Sequence, residues 1–255
     1  MLRYRVIPTL LLKKNGLVKT IKFKNPVYIG DPINAVKIFN EKEVDELILL
    51  DISATNENRN PNYEKLSEII SEAFIPIGYG GGIKDLVHIE KLFRMGIEKV
   101  IVNTALYTNH HLIGTAATVF GSQSIVAAID VRKDFLGKYK IYSGSGIKKE
   151  HVDLLSFVKK IEDLGAGEIF INSIDLDGTM KGYDINLIKS ISTLVKIPVI
   201  ASGGAGSLKD FATAIKEGGA SAVAAGSMFV FHGTHRAVLI SYPKYEEIED
   251  TLKQL

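Results

Sequence analysis

Cysteine is absent from the 255 residues, which excludes disulfides and thiolate chemistry and leaves histidine as the only soft metal ligand. The 31 basic residues stand against 29 acidic ones, a formal charge of +2, so there is no electrostatic reason to expect nucleic acid as a partner. No apolar stretch approaches the roughly 20 residues that span a bilayer. Neither membrane insertion nor a targeting segment is therefore expected, and the missing cysteine fits the cytoplasm. No linker, low-complexity tract or break in composition interrupts the chain. What is present is a 46% hydrophobic composition at a length usual for one barrel, so residues 1–255 are expected to form one domain.

Eight short apolar runs suit strands buried on both faces: 6–12, 47–50, 75–77, 100–102, 125–129, 169–171, 197–200 and 222–225. Between them lie stretches of helical period, such as Leu66, Ile69, Ile70 and Ala73, or Leu154, Leu155, Val158 and Ile161. This alternation predicts a parallel sheet, either open and doubly wound or closed as a barrel. An internal repeat decides between them. Residues 80–107 (GGGIKDLVHIEKLFRMGIEKVIVNTALY) lie over 202–229 (SGGAGSLKDFATAIKEGGASAVAAGSMF) without a gap, and 45–55 lie over 167–177 at the same offset of 122. Two like halves of four βα units each predict a (βα)₈ barrel with half-barrel duplication.

In such a barrel the chemistry sits at the carboxyl ends of the strands. The third run leads into Gly80, Gly81 and Gly82, and the seventh into Ser202, Gly203 and Gly204, each followed by a helix. Glycines let backbone N–H groups approach an anion, and a helix terminus adds a favourable dipole. Asn103 and Thr104 after the fourth run, and Gly226 and Ser227 after the eighth, supply donors beside them. The alternative is that the glycines only make tight βα turns. Duplication favours two phosphate pockets facing across one mouth, hence a small molecule phosphorylated at both ends. Acids at strand ends are Asp51, Asp130, Asp175 and Asp177. Asp130, closing the run IVAAID, is the candidate general acid or base, and Asp51 and Asp177 are candidate ligand contacts or helix caps. At the opposite ends, Arg5, Glu46, Lys99 and Glu168 open or precede four of the runs, placed either to form a salt-bridged ring across the bottom or to face solvent.

His110 and His111 begin a helical segment, and His232 and His235 follow the eighth run. Their spacing supplies no ligand set, so no metal and no cofactor is expected. Residues 245–255 read as an exposed terminal helix of alternating charge.

The segments RVIPTLLLKKNGLVK, DELILLDISA, GGGIKD, FGSQSIVAAID, GAGEIFINSIDLDGTMKGYD and PVIASGGAG resemble, in order and spacing, the cyclase subunit of imidazole glycerol phosphate synthase over nearly the whole chain. The resemblance implies a barrel that receives ammonia from a glutaminase docked at its bottom. It places Arg5, Glu46, Lys99 and Glu168 on the charged gate, Lys19 and Phe23 on a mobile first loop, and Gly82, Asn103, Thr104, Gly203 and Ser227 on phosphate positions.

One departure bears on activity. The family uses an aspartate at the end of its first strand and another at the end of its fifth; Asp130 keeps the second, and Leu11 replaces the first. Tyr79 and the tail FVFHGTHRAVLISYP depart as well, and the tail resembles a paralogous group tied to bacterial surface-polysaccharide biosynthesis, where ammonia is passed to a sugar amidotransferase. Three readings follow: such a paralogue, a working cyclase of histidine biosynthesis, or a non-catalytic scaffold that activates a glutaminase.

Overall fold

The computed structural model describes residues 4–253. Eight parallel strands form its frame: β1 (Arg5–Lys13), β2 (Leu47–Asp51), β3 (Ile77–Gly80), β4 (Lys99–Val102), β5 (Ile125–Lys133), β6 (Glu168–Ser173), β7 (Val199–Ser202) and β8 (Ala222–Ala225). Each pairs with the next. The pairing of Arg5 with Ala222 through Pro8 with Ala225 joins the last strand to the first. Helices α1 (Pro32–Glu41), α2 (Tyr63–Ile70), α3 (Leu86–Arg94), α4 (Leu112–Phe120), α5 (Leu154–Asp163), α6 (Ile185–Ser192) and α7 (Leu208–Lys216) follow successive strands, and α8 (Tyr245–Lys253) ends the described chain. The fold is a closed (βα)₈ barrel.

Strand alternation divides the core in two. Ile7, Ile48, Ile101, Val126, Phe170 and Ile200 point inward and fill the barrel. Val6, Leu49, Val100, Ala127, Ile169 and Val199 point outward and meet the apolar faces of the helices. Burying each large aliphatic side chain contributes about 1.5–3 kcal/mol before entropic costs.

The duplication extends to the local chemistry that starts each element. The N-caps Asp31 and Asp153, Asn62 and Asp184, and Asp85 and Ser207 are each 122 positions apart, and the helices they start end at matching positions. The strands after Pro76 and Pro198 begin two residues later than their apolar runs, at Ile77 and Val199. Proline has no N–H to give a ladder. Its carbonyl instead accepts from Leu47 N in one half and from Ile169 N in the other, both at 2.9 Å.

Strict alternation of strand and helix does not hold throughout. A hairpin of Gly16–Ile21 and Lys24–Gly30 extends β1. Tyr139–Ser143 and Lys148–Lys149 fold back on β5, and Phe231–His232 pairs with Ala237–Val238. These strands are short and of mixed polarity, even where, as in Gly16–Ile21, most of their residues are buried, so no apolar run announces them. Two details of the helices also differ from expectation. Leu155 faces solvent and Phe157 takes its place in the buried stripe of α5. The terminal helix is not wholly exposed, because Ile248 buries one face and α8 packs on α7; residues 254 and 255 lie outside the described part.

Candidate functional site

At the amino-terminal end of the strands the four charged residues meet in a ring. Arg5 donates to Glu46 Oε2 and to Glu168 Oε1, each at 2.7 Å. Lys99 Nζ donates to Glu46 Oε2 at 2.9 Å and to Glu168 Oε2 at 3.2 Å. Cation and anion therefore alternate, and each carboxylate bridges both cations. Both glutamates are nearly fully buried and the two cations largely so. The ring closes the floor of the barrel below Ile7, Ile48 and Ile101. Desolvation opposes the charge on Arg5, yet its two carboxylate partners hold its pKa above the ordinary value.

At the carboxyl-terminal end one cavity gathers the glycine loops, Thr104, Ser227, Asp130 and Lys19. Gly81 and Gly203 hold φ of 123° and 87°, a region that side-chain-bearing residues avoid. A Cβ on Gly81 would lie 2.5 Å from the Asp51 carbonyl, and one on Gly203 would lie 2.6 Å from the Ser173 carbonyl. Asp51 and Ser173 are repeat mates. The same close approach is thus built twice, and the tight-turn and anion-loop readings of these glycines are compatible. Single helical turns, Ala105–Thr108 and Ser227–Val230, begin at the cavity beside each loop.

Asp130 stands between two carboxamides: Asn103 Nδ2 donates to its Oδ2 at 3.1 Å, and Asn172 Nδ2 to its Oδ1 at 3.3 Å. Burial pushes its carboxyl up to about 7; the amide of Asn172 opposes the rise, Asp177 adds to it and Asn103 opposes it. A carboxyl poised there takes up or gives a proton near neutrality. Asn172 was not foreseen; its place one strand over, in register with Asp130, is the signal that pairing reveals. Asn103, expected beside a phosphate, turns its amide to Asp130 and to the Ala128 carbonyl at 3.0 Å. Leu11, in line with Ile7 and Thr9 on the inner face of β1, lines the same cavity and supplies no proton.

Lys19 runs under its own hairpin, is 5% exposed and donates to the Thr9 carbonyl at 2.6 Å. Desolvation lowers its pKa to about 8, against the opposing pull of Asp177. Burial raises Asp177, which Lys19, Thr20 and the Phe23 backbone pull back. A Cβ on Gly226 would fall on the Lys19 ammonium, so this glycine makes room for the cation. The hairpin tip is a two-residue turn, Lys22 and Phe23, both at positive φ. The first loop is thus an ordered hairpin lying over the mouth, with Phe23 packed beside Gly146.

Other candidates serve the frame. Asp51 accepts from Ser53 N and Ala54 N at 3.0 Å and faces Arg59, so its carboxylate organises its own loop. Asp175 accepts from Lys133 N at 2.8 Å. Tyr79 points outward into the buried layer under the helices. Thr104 hydroxyl, besides lining the cavity, accepts from Gly144 N at 3.2 Å.

The model of the family described as histidine biosynthesis protein matches residues 5–236. A provisionally named imidazole glycerol phosphate synthase subunit, hisF2, of Pseudomonas aeruginosa is 55% identical over 249 residues, covering 98% of this chain and 99% of its own. The subunit provisionally named HisF of Leptospira borgpetersenii is 51% identical, with 95% and 96% covered. The imidazole glycerol phosphate synthase subunit HisF of Petrotoga mobilis is 40% identical, with 91% of each chain covered. With a closed (βα)₈ barrel and matches spanning nearly its whole length, the chain belongs to the HisF-like family of imidazole glycerol phosphate synthase cyclase subunits.

Proposed function

We propose that this chain is a paralogous member of the family that accepts ammonia from a glutaminase docked at the Arg5, Glu46, Lys99 and Glu168 end. It passes the ammonia on for amidation of a bacterial surface sugar by a separate amidotransferase. In this reading the loops at Gly81, Gly82, Gly203 and Gly204, with Thr104, Gly226 and Ser227, hold a phosphorylated small molecule, and Lys19 supplies it with a cation from the hairpin above. Asp51 shapes the wall, Asp177 holds Lys19, and Asn103 and Asn172 orient Asp130.

Leu11 carries the reading. A two-carboxylate proton relay across the mouth needs an acid on β1, and the inner face of β1 offers Leu11 at the cavity. Loss of one positioned acid or base typically costs about 10²- to 10⁴-fold in rate. The bisphosphate ribulosyl intermediate supplied with ammonium salt should therefore turn over that much more slowly than with an ordinary cyclase, and Leu11→Asp should raise the rate. Turnover at the ordinary rate would reject the proposal in favour of the second reading, a working cyclase of histidine biosynthesis. What favours that reading is Asp130, whose carboxyl near 7 is suited to proton transfer. A scaffold without catalysis differs from both: it would stimulate a glutaminase yet deliver no ammonia to any acceptor.

A further inference from the structure

At the carboxyl-terminal rim the excursion after β5 presents a feature that neither the barrel core nor the cavity explains. The turn between Lys133 and Tyr139 puts Phe135 and Leu136 into solvent, 95% and 66% exposed. The turn is firmly built: Asp134 Oδ1 accepts from Leu136 N at 3.0 Å and from Lys138 N at 2.9 Å, and Gly137 N donates to the Asp134 carbonyl at 2.9 Å. Its base is bolted down, because Lys133 Nζ pairs with Asp184 at 2.8 Å and Tyr139 hydroxyl donates to the same carboxylate at 2.9 Å. Two adjacent apolar side chains are therefore held outward by a fixed turn.

The surroundings are basic. From Lys138 to Lys149 there are four lysines and no acid; Lys140 and Lys148 face Asp134 and Glu150, while Lys138 and Lys149 are exposed. The neighbouring hairpin, joined to this excursion through Phe23 and Gly146, adds exposed Lys22 and Lys24, and residues 4–30 contain no acid. Exposed Ile21, Val27, Tyr28 and Ile147 lie on the same two excursions. Flat protein interfaces favour arginine and deplete lysine. A convex apolar tip beside the exposed lysines Lys138, Lys149, Lys22 and Lys24 instead matches a surface of anionic headgroups over acyl chains.

We propose that this rim docks on an anionic lipid surface, with Phe135 and Leu136 entering the headgroup boundary and the lysines pairing with lipid phosphates. Docking in this way leaves the ring of Arg5, Glu46, Lys99 and Glu168 facing away from the membrane. The proposal is independent of which nitrogen acceptor the barrel serves.

The chain has no tryptophan, so Phe135→Trp places a lone reporter at the tip. Adding vesicles of phosphatidylcholine mixed with phosphatidylglycerol should shift its emission to the blue, and vesicles of phosphatidylcholine alone should not. Sedimentation of the unaltered chain with the mixed vesicles should weaken at high salt. It should fall at least about tenfold in Phe135→Ser with Leu136→Ser, and in Lys138→Glu with Lys149→Glu. Because these side chains are exposed, the fold, checked by circular dichroism, should be unchanged. An unmoved tryptophan spectrum, or sedimentation that neither double variant reduces, would overturn the proposal. No binding to anionic vesicles would overturn it too and leave an acidic protein as the occupant.

Discussion

Replacing Arg5 by Met removes one corner of the ring and leaves two glutamates, 4% and 10% exposed at their side chains, with Lys99 alone. Breaking a fully buried ion pair by deleting one partner costs about 3–5 kcal/mol, because the remaining charge is left without compensation. The Arg5 side chain is 26% exposed, so water reaching the vacated corner screens part of that cost. We expect about 2–3 kcal/mol, which for a chain of this size lowers Tm by roughly 5–10 °C. Urea denaturation should give the same loss at an unchanged slope. Arg5→Met combined with Glu168→Gln restores a balanced pair of Lys99 and Glu46, and should recover about half of the loss. Salt should matter little, since the ring is shielded from most of the solvent. A cost below about 0.5 kcal/mol, or one abolished by high salt, would refute the argument and make the ring an ordinary surface cluster.

Three further outcomes are expected. Gly226→Ala should evict the Lys19 ammonium from the Thr9 carbonyl while the flexible side chain absorbs the clash, so the fold survives. Affinity for inorganic phosphate, followed by calorimetry, should fall about tenfold. Asp130, carrying a native pKa of about 7 against the ordinary 3.8, should titrate near neutrality by carbon NMR. Since its folded-state value is raised, its proton favours the native state, so its contribution to stability declines as pH climbs from about 4 to 7; Asn172→Ala should move the titration higher still. Lys19, lowered to about 8, has the opposite sense. Its buried charge costs stability below that value, and Asp177→Asn should lower its pKa further, seen as earlier loss of phosphate binding on raising the pH.

The sequence carried the barrel because its period is redundant. Apolar runs, helical stripes and the offset of 122 all report the same arrangement, and a missed boundary such as Pro76 or Pro198 changes no topology. The charged ring was only half readable: four strand-entry charges of alternating sign share one end of the barrel, but whether they pair or face solvent is set by side-chain direction, and the family resemblance rather than the spacing favoured pairing. Side-chain direction was less readable. Asn103 sits at the expected strand end, yet its amide turns inward to Asp130, and only the register of β5 and β6 brings Asn172 there as well. The hairpins were hidden because half-exposed strands of mixed polarity, such as Lys24–Gly30, lack the apolar run that marks a barrel strand.

The twinned proline carbonyls mean that the seam between β2 and β3 is fastened at its start by the same bond as the seam between β6 and β7, half a circuit away around the barrel. Neither join is privileged. Each wall is pinned by a backbone acceptor that no side-chain replacement at its neighbours can remove, so the two halves share the same anchor although their sequences there differ.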